Sequence, residues 1–299
     1  MRSPEIEIAA PLPPPGCPVT EAERYTYWLA THHYENFHVV SWMLPRHLRR
    51  HFYNVYAYCR WADDLGDEVA DPARALELLN WWESELNLCY EGRPSHPVFV
   101  ALAPTIREFD IPAEPFHDLL TAFRQDQTVH RYATWEDLLG YCRYSANPVG
   151  RLVLFLCGYR DAERQRLSDA TCTALQLANF WQDLASDAQK RDRVYLPADE
   201  MKRFGVGVEQ LRAGSFGPKL ANLMRFQVDR TEALFKAGEG LPARLGGRLG
   251  AEIRLTLLGG RRILEKIRFQ GYNTLARRPK LGAADAPALL WRFATGSLG

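Results

Sequence analysis

Residues 56–68 combine the spacing of a helix with a row of acids, and they read Tyr56-Ala57-Tyr58-Cys59-Arg60-Trp61-Ala62-Asp63-Asp64-Leu65-Gly66-Asp67-Glu68. Asp63 and Asp67 are four residues apart and therefore share one helix face, with Asp64 and Glu68 as a second pair beside them. Apolar side chains occupy nearly every other direction around this helix. A helix that is apolar almost all round lies inside a bundle. The stretch therefore predicts a buried helix that carries carboxylates.

A second acidic row occurs further along the chain, in Gln176-Leu177-Ala178-Asn179-Phe180-Trp181-Gln182-Asp183-Leu184-Ala185-Ser186-Asp187. Asn179, Asp183 and Asp187 recur every fourth residue, so they stay within about 80° of one another around a helix. Like charges at this spacing repel, and more strongly when they are desolvated. Oxygen ligands without His or Cys favour Mg²⁺, which takes one or two carboxylates plus water and substrate phosphate. The alternative is a solvated acidic face, which the apolar flanks disfavour.

The remainder of the chain predicts an all-α protein. Leu, Ala, Arg and Trp recur at three- and four-residue intervals, and no alternating strand pattern or internal repeat is present. We predict a disordered Pro-rich tail at residues 1–20 and one helical domain at 21–295. The predicted helices cover residues 20–35, 46–68, 72–91, 96–109, 114–128, 134–159, 163–190, 197–204, 207–213, 217–237, 241–269 and 283–293.

Composition excludes several classes of protein. The chain has 299 residues, 46% hydrophobic and 24% charged, which is typical of a globular protein with a sizeable core. Lys and Arg number 37 against 36 acids, a balance that disfavours a dedicated nucleic-acid binder. The six cysteines lie far apart without a CxxC pair, so neither a zinc site nor a redox pair is expected. No apolar run is long enough for a membrane span, and we predict a cytoplasmic protein.

The two acidic motifs together identify a family. Arg60-x-x-Asp63-Asp64-x-x-Asp67-Glu68, paired with Asn179-x-x-x-Asp183-x-x-x-Asp187, resembles the head-to-head isoprenoid synthases, which are the squalene, dehydrosqualene and phytoene synthases. The likeness extends from about His33 to Tyr272. The resemblance implies a single-domain isoprenoid synthase bundle around a central hydrophobic cavity. It also implies two Asp-rich helices that face each other and hold Mg²⁺ on a prenyl diphosphate substrate.

The resemblance also implies roles for individual residues. The implied Mg²⁺ ligands are Asp63, Asp67, Asn179, Asp183 and Asp187. Arg60 would pair with the diphosphate and Tyr144 lies where the family places a catalytic tyrosine. The other implied substrate-binding residues are His33, Asn36, Phe37, Gln176, Arg193 and Tyr195. Asn36 stands where the family has a serine, so a hydroxyl contact with the diphosphate is not expected there.

Two stretches resemble the hydroxysqualene-forming branch of this family, which ionises presqualene diphosphate and lets water capture the rearranged carbocation. These stretches are His33-Tyr34-Glu35-Asn36-Phe37 and Tyr141-Cys142-Arg143-Tyr144-Ser145-Ala146-Asn147-Pro148-Val149-Gly150. The resemblance implies two pathway partners, a presqualene diphosphate synthase and a hydroxysqualene reductase. Contact with the inner face of the membrane would suit a water-insoluble product.

Pro148 gives this branch a physical feature of its own. Proline lacks an N–H group, so the carbonyl of Tyr144 loses its usual partner and the helix kinks. The freed carbonyl, the Ser145 hydroxyl and the Asn147 amide would then suffice to hold one buried water. We hypothesise that Asn147 is catalytic because the kink positions the water that ends the reaction. A purely structural kink is the equal alternative.

Other functions remain open at this point. Within the family these are a presqualene diphosphate synthase or a complete squalene synthase acting on farnesyl diphosphate, and a phytoene-type enzyme. From another class, the chain could be a catalytically idle helical interaction protein, which the intact acidic motifs disfavour. A basic stretch favours diphosphate or membrane-surface contact over nucleic acid, and it comprises Arg261, Arg262, Lys266, Arg268, Arg277 and Arg278.

Overall fold

The structure is a computed structural model that describes residues 12–32 and 45–295. Within these ranges the chain forms helices, and the only β pairing is an isolated bridge between Arg131 and Val194, so the all-α prediction is confirmed. The helices are α1 (Val19–His32), α2 (Arg46–Asp67), α3 (Pro72–Tyr90), α4 (Pro97–Phe109), α5 (Glu114–Gln125), α6 (Trp135–Ser145), α7 (Asn147–Leu156), α8 (Ala162–Lys190), α9 (Ala198–Phe204), α10 (Val208–Arg212), α11 (Pro218–Gly238), α12 (Leu241–Arg244), α13 (Gly247–Phe269) and α14 (Ala286–Thr295), with a 3₁₀ helix at Ala283–Asp285.

Two of the predicted helices are divided in the structure. The helix expected over 134–159 is interrupted at Ala146, between α6 and α7, where the sequence predicts a kink. The helix expected over 241–269 is interrupted because Leu245 and Gly246 adopt extended backbone angles, with ψ of 136° and 151°. The other helices begin and end close to the predicted residues. A capping box formed by Thr134 and Asp137 begins α6.

The described residues form two compact units. The first comprises the residues up to Thr128 together with Pro148–Asp161, and the second comprises Val129–Asn147 and the residues from Ala162. The earlier expectation of one domain at 21–295 stays a prediction. None of the described helices is long and apolar enough to cross a membrane.

An aromatic core holds the first unit together. Trp61 of α2 stacks on Trp82 of α3 with ring centroids 5.3 Å apart, and its indole N–H donates to the Tyr25 hydroxyl. Tyr58 is fully buried and donates its hydroxyl proton to the Phe116 carbonyl at 2.9 Å. These contacts bury one face of α2, which carries the first acidic motif.

The long helix α8 forms the centre of the second unit and packs against α11 and α13. Trp181 is buried and donates from its indole nitrogen to Thr231 Oγ1 of α11 at 2.8 Å. Gly260 of α13 allows a close approach, because a Cβ there would lie 2.5 Å from Phe235 and 2.8 Å from Leu175. The second acidic motif therefore lies on a helix that is fixed from two sides.

The N-terminal tail differs in part from the prediction. Residues 1–11 lie outside the described part of the chain, but residues 12–20 contain a turn and the first residues of α1. The Gly16 N–H donates to the Ser95 carbonyl at 2.8 Å, and Cys17 is buried in a small cluster with Ala22 and Val100. This apolar contact orders a segment that its proline content alone marks as disordered.

Candidate functional site

The second acidic row lies along one side of α8 in the second unit. Asn179 is exposed, and its Nδ2 donates to Asp183 Oδ2 at 2.9 Å. Asp187, one turn further on, is only 8% exposed. Burial and the neighbouring charge of Asp183 raise the pKa of Asp187 to about 6. The row therefore ends in a carboxylate that is largely withdrawn from solvent.

A loop after α13 supplies one cation to this row. Arg278 forms a two-pronged ion pair with Asp183, with Nη2 2.9 Å from Oδ2. Gln182 fastens the same loop by donating from Nε2 to the Pro279 carbonyl at 2.6 Å. The sequence marks Arg278 only as part of a basic stretch, and no local pattern indicates that it meets Asp183.

The segment after α8 folds back onto the end of that helix. The backbone N–H groups of Arg191 and Arg193 both donate to the Asp187 carbonyl, at 3.3 and 2.9 Å. Val194 then donates its N–H to the His130 carbonyl at 3.0 Å. Arg193 is thereby held beside the carboxyl end of the acidic row.

A group of stacked aromatic rings lies next to this segment. Tyr195 is buried and stacks on Phe180 of α8, with centroids 3.6 Å apart and planes 5° apart. Tyr132 and Tyr141 lie against the same tyrosine, with centroids 5.8 and 6.0 Å away. The predicted substrate-binding residue Tyr195 is thus the centre of an aromatic cluster that carries the π-faces a cation needs.

The break between α6 and α7 contains buried polar atoms. The Ser145 hydroxyl oxygen is buried and has no hydrogen-bond partner among the described residues. Asn147 is 8% exposed, and its Oδ1 accepts a hydrogen bond from Thr173 Oγ1 of α8 at 2.9 Å. The Ala146 N–H still donates to the Cys142 carbonyl at 3.0 Å, so the helical bonding ends only after this residue. Asn147 therefore has a partner that the sequence does not reveal, whereas Ser145 has an unused hydroxyl.

Tyr144 and Gln176 are both half-buried in the same unit. The guanidinium of Arg143 lies over the Tyr144 ring, 5.7 Å from its centroid. Gln176 precedes Asn179 by three residues on α8, so the two side chains lie on adjacent positions of one helix face. His33, Asn36 and Phe37 lie outside the described residues.

The first acidic row lies on α2 in the first unit, where Arg60 is engaged by neighbouring acids. Arg60 Nη2 lies 2.5 Å from Asp64 and 3.3 Å from Glu68, and Nη1 lies 3.7 Å from Asp63. Its Nε is buried and has no hydrogen-bond partner within residues 12–32 and 45–295. Arg60 is thus partly neutralised by its own helix and keeps one unused donor.

The acids of this row differ in exposure. Asp64 is buried, and desolvation raises its pKa to about 7 although Arg60 lowers it. Asp63 is half-buried and Asp67 is exposed. The pair predicted to bind metal therefore points to the accessible side of α2, and Asp64 serves as the buried partner of Arg60.

The acidic rows fit a hard cation in their donor chemistry. In the described part of the chain, no three His, Cys, Asp or Glu side chains are grouped so that they could hold a metal ion. Mg²⁺ does not require such a group, because it binds through one or two carboxylates and completes its shell with water and phosphate. Asp183 already attracts a guanidinium, and burial followed by the charge of Asp183 raises the pKa of Asp187, so a bound cation would favour its ionised form.

Comparison with known proteins gives consistent similarities. The sequence profile of the squalene/phytoene synthase family matches residues 30–285. The chain is 40% identical over 227 residues to the hydroxysqualene synthase of Rhodopseudomonas palustris, which covers 75% of this chain and 76% of that protein. It is 36% identical over 260 residues to the phytoene synthase of Thermus thermophilus, with coverage of 86% and 87%. The crystal structure of squalene synthase HpnC from Alicyclobacillus acidocaldarius aligns with a TM-score of 0.82 and 46% identity, over 85% of this chain and 96% of that one.

Proposed function

The chain belongs to the squalene/phytoene synthase family, and we propose that it is a hydroxysqualene synthase that converts presqualene diphosphate and water into hydroxysqualene and diphosphate. Enzymes of this family act on prenyl diphosphates. The observation that carries the proposal is the similarity to a hydroxysqualene synthase over three quarters of the chain.

The acidic side chains are proposed as ligands of Mg²⁺. The proposed ligands are Asp63 and Asp67 on α2, and Asn179, Asp183 and Asp187 on α8. When bound, Mg²⁺ would neutralise part of the charge on the diphosphate and make it a better leaving group.

Basic side chains would share this work. Arg60 and Arg193 would bind the departing diphosphate, where hydrogen-bond donors are worth most because negative charge develops there. The buried, unused Nε of Arg60 supports this role. Gln176, Tyr195, His33, Asn36 and Phe37 complete the proposed substrate-binding set.

The aromatic cluster suits the carbocation that forms when the diphosphate leaves. Phe180, Tyr195 and Tyr141 present π-faces in a buried setting, which would stabilise a carbocation. Tyr144 is proposed as a catalytic tyrosine on its position in the family motif. Water exclusion by these rings would protect the cation until the intended capture step.

Ser145 and Asn147 are proposed to position the water that captures the carbocation. The unused Ser145 hydroxyl is a ready partner for that water. Asn147 already accepts a hydrogen bond from Thr173, which fixes its side chain, so its Nδ2 is the group left to bind water. This refines the kink hypothesis, because the Ser145 hydroxyl is now the main proposed hydrogen-bond partner of the water.

Two variants test the water site. Ser145→Ala removes the hydroxyl but keeps the helix break, whereas Asn147→Gly combined with Pro148→Ala removes the break. With presqualene diphosphate as substrate, both variants are expected to lower the share of hydroxysqualene among the products severalfold, as read by mass spectrometry. Ser168→Ala, a buried serine elsewhere on α8, is the control. An unchanged share of alcohol in both variants would show that the break is only structural.

Labelled water tests the reaction itself. The purified protein is incubated with Mg²⁺ in ¹⁸O-water, without nicotinamide, with presqualene diphosphate or farnesyl diphosphate alone. Labelled hydroxysqualene from the first substrate, with the second untouched, is the expected result. Presqualene diphosphate formed from farnesyl diphosphate would refute the proposal and indicate the first-step enzyme.

A squalene synthase is the second candidate, because the crystal structure that aligns at 46% identity is described by that name. It predicts squalene from farnesyl diphosphate when reduced nicotinamide is supplied, so one additional reaction distinguishes the two. A phytoene-type enzyme would act on longer prenyl diphosphates instead. For a hydroxysqualene synthase, we propose a cytoplasmic location with peripheral contact to the inner membrane face. A presqualene diphosphate synthase and a hydroxysqualene reductase would then be its pathway partners.

A further inference from the structure

The helix α14 carries an apolar stripe that no part of the described chain covers. Pro287, Leu290, Trp291 and Ala294 recur at the spacing of one helix face, and all four are exposed. Leu290 is 62% exposed and Trp291 is 71% exposed. A contiguous apolar stripe containing a tryptophan is unusual on a water-facing surface and marks an interaction site.

The opposite side of α14 attaches the helix to α13. Arg292 pairs with Glu265 at 2.5 Å, and Arg254 donates to the Arg292 carbonyl at 3.3 Å. The Arg254 guanidinium also lies over the Phe293 ring, 5.5 Å from its centroid. None of the ten residues of α14 is buried. The helix is therefore held in place by one side and presents the apolar stripe on the other.

The part of the chain that leads to the stripe is rich in basic residues, although many of them are paired with acids of other helices. The bases paired in this way are Arg244, Arg261, Arg268 and Arg278. From Arg244 to Thr295 there are eleven Lys and Arg residues against three acids. Two of these acids are neutralised locally, because Asp285 pairs with Arg262 and Lys266, and Glu265 pairs with Arg262 and Arg292. The third, Glu252, is buried. Among the described residues of this segment, the exposed bases outside these ion pairs are Arg248, Arg277 and Lys280, and they supply the positive charge that remains available.

We propose that α14 docks on the surface of an anionic lipid bilayer, with Leu290 and Trp291 inserted at the level of the headgroups. An amphipathic helix binds a bilayer in this way when an apolar face is accompanied by basic residues, and tryptophan favours the interface. Each basic residue near an anionic surface adds to the attraction. The helix spans only ten residues and would lie in the interface rather than cross it.

A second copy of the chain fits the stripe less well. A stable protein interface buries about 800 Å² on each partner, whereas an aromatic side chain supplies roughly 150–250 Å². One tryptophan, one leucine and two small residues fall short of that area. Two positively charged surfaces would also repel each other. A bilayer requires no matching surface and supplies the opposite charge.

Vesicle flotation of the full chain tests the proposal. The vesicles contain either phosphatidylcholine alone or equal parts of phosphatidylcholine and phosphatidylglycerol. The wild type is expected to float with the anionic vesicles and far less with the neutral ones. Leu290→Glu combined with Trp291→Glu is expected to reduce binding at least tenfold. The matched control is Val19→Glu combined with Tyr27→Glu, which places the same charges at exposed apolar positions of α1 and leaves binding unchanged.

Three results would overturn the proposal. These are equal flotation of the Leu290/Trp291 variant, no flotation of the wild type, or equal loss of binding in both double variants. Light scattering provides a fourth, because a dimer of the wild type that dissociates in the Leu290/Trp291 variant would identify a second copy as the occupant. The inference rests on the proposed function, which includes contact with the membrane. Flotation is measured without substrate, so it tests the docking surface separately from the reaction. A protein that floats yet forms no hydroxysqualene would refute the reaction and leave the docking surface intact.

Discussion

Arg278 shows how a single residue adjusts the charge of the acidic row on α8. Its guanidinium pairs with Asp183, and the loop that carries it is fastened by Gln182. A cation at Asp183 relieves the repulsion between Asp183 and Asp187, which lie one helical turn apart. Arg278 thus occupies a carboxylate that we propose as a ligand of Mg²⁺, and the two cations should compete for it.

Replacing Arg278 tests this competition. Arg278→Gln is expected to lower the stability of the protein in the absence of metal by no more than about 1 kcal/mol, since the pair is partly exposed. The variant should gain more thermal stability from added Mg²⁺ than the wild type, because Asp183 is then available. Thermal unfolding with increasing Mg²⁺ measures both effects. Arg277→Gln, at the exposed neighbouring position, is the control, and equal responses of the two variants would contradict the prediction.

Glu252 of α13 is a second residue with an unusual electrostatic environment. It is 1% exposed, neither of its carboxylate oxygens has a hydrogen-bond partner in the part of the chain that the structure describes, and burial raises its pKa to about 7. The folded protein therefore holds the Glu252 proton more tightly than the unfolded chain does. This contribution to stability is complete below the ordinary glutamate pKa and is lost as the pH rises towards 7.

Glu252→Gln should make the stability of the protein less sensitive to pH. Between pH 5 and pH 8, the free energy of unfolding of the variant is expected to rise relative to that of the wild type by up to roughly 3 kcal/mol, because glutamine does not ionise. Unfolding in urea at several pH values measures the difference. Glu265→Gln is the control: burial raises the pKa of Glu265, but hydrogen bonds from Arg292 and Arg262 outweigh it and lower the pKa. Its stability difference from the wild type should therefore change only below the ordinary glutamate pKa and stay constant between pH 5 and pH 8. If the free energy of unfolding depended on pH in the same way in the wild type and in Glu252→Gln, the raised pKa assigned to Glu252 would be refuted.

Among the helices, the close packing of α13 against its neighbours depends on one glycine of an adjacent pair. A Cβ at Gly260 would collide with Phe235 and Leu175, whereas a Cβ at Gly259 would lie 3.4 Å from Leu281, an ordinary contact. The two glycines share one helix and differ in what they face. The sequence shows the pair but not which member faces the core.

Alanine at each position separates these roles. Gly260→Ala is expected to destabilise the protein by about 1–3 kcal/mol, because the added methyl group overpacks a filled core. Gly259→Ala is expected to be neutral or to stabilise by up to about 1 kcal/mol through helix propensity. Chemical denaturation of both variants measures this. A Gly260→Ala protein as stable as Gly259→Ala would mean that α13 can shift away from α8.

The elements themselves were predictable from local patterns. Residue types and spacing are enough to explain the capping box at Thr134, the interruption before Pro148 and the ends of most helices. These features depend on neighbours in the chain. The predicted bounds 241–269 do not divide the helix at Leu245 and Gly246, since a single glycine pair is compatible with a continuous helix. The contact of Cys17 with Val100 was missed because it joins residues far apart in the sequence.

For the whole molecule, a nearly neutral composition conceals a strong local imbalance. The net charge of +1 averages over a basic C-terminal region and acidic rows on α2 and α8. The distribution of charge, rather than its sum, determines which surfaces attract phosphate, metal or lipid. The exposed stripe of α14 became evident only when burial was known, because its residues are as apolar as those of a buried helix.

The sequence by itself determined the helical class, the bounds of most helices, the family and the residue types proposed for the site. These properties follow from periodicity and motif spacing, which are written along the chain. Only the tertiary structure decided that Arg60 pairs with Asp64, that Arg278 reaches Asp183, that Thr173 holds Asn147 and that Glu252 is buried without a partner. Such pairings depend on which side chains meet after the helices pack, and on the solvent each one loses, and neither is encoded by local spacing.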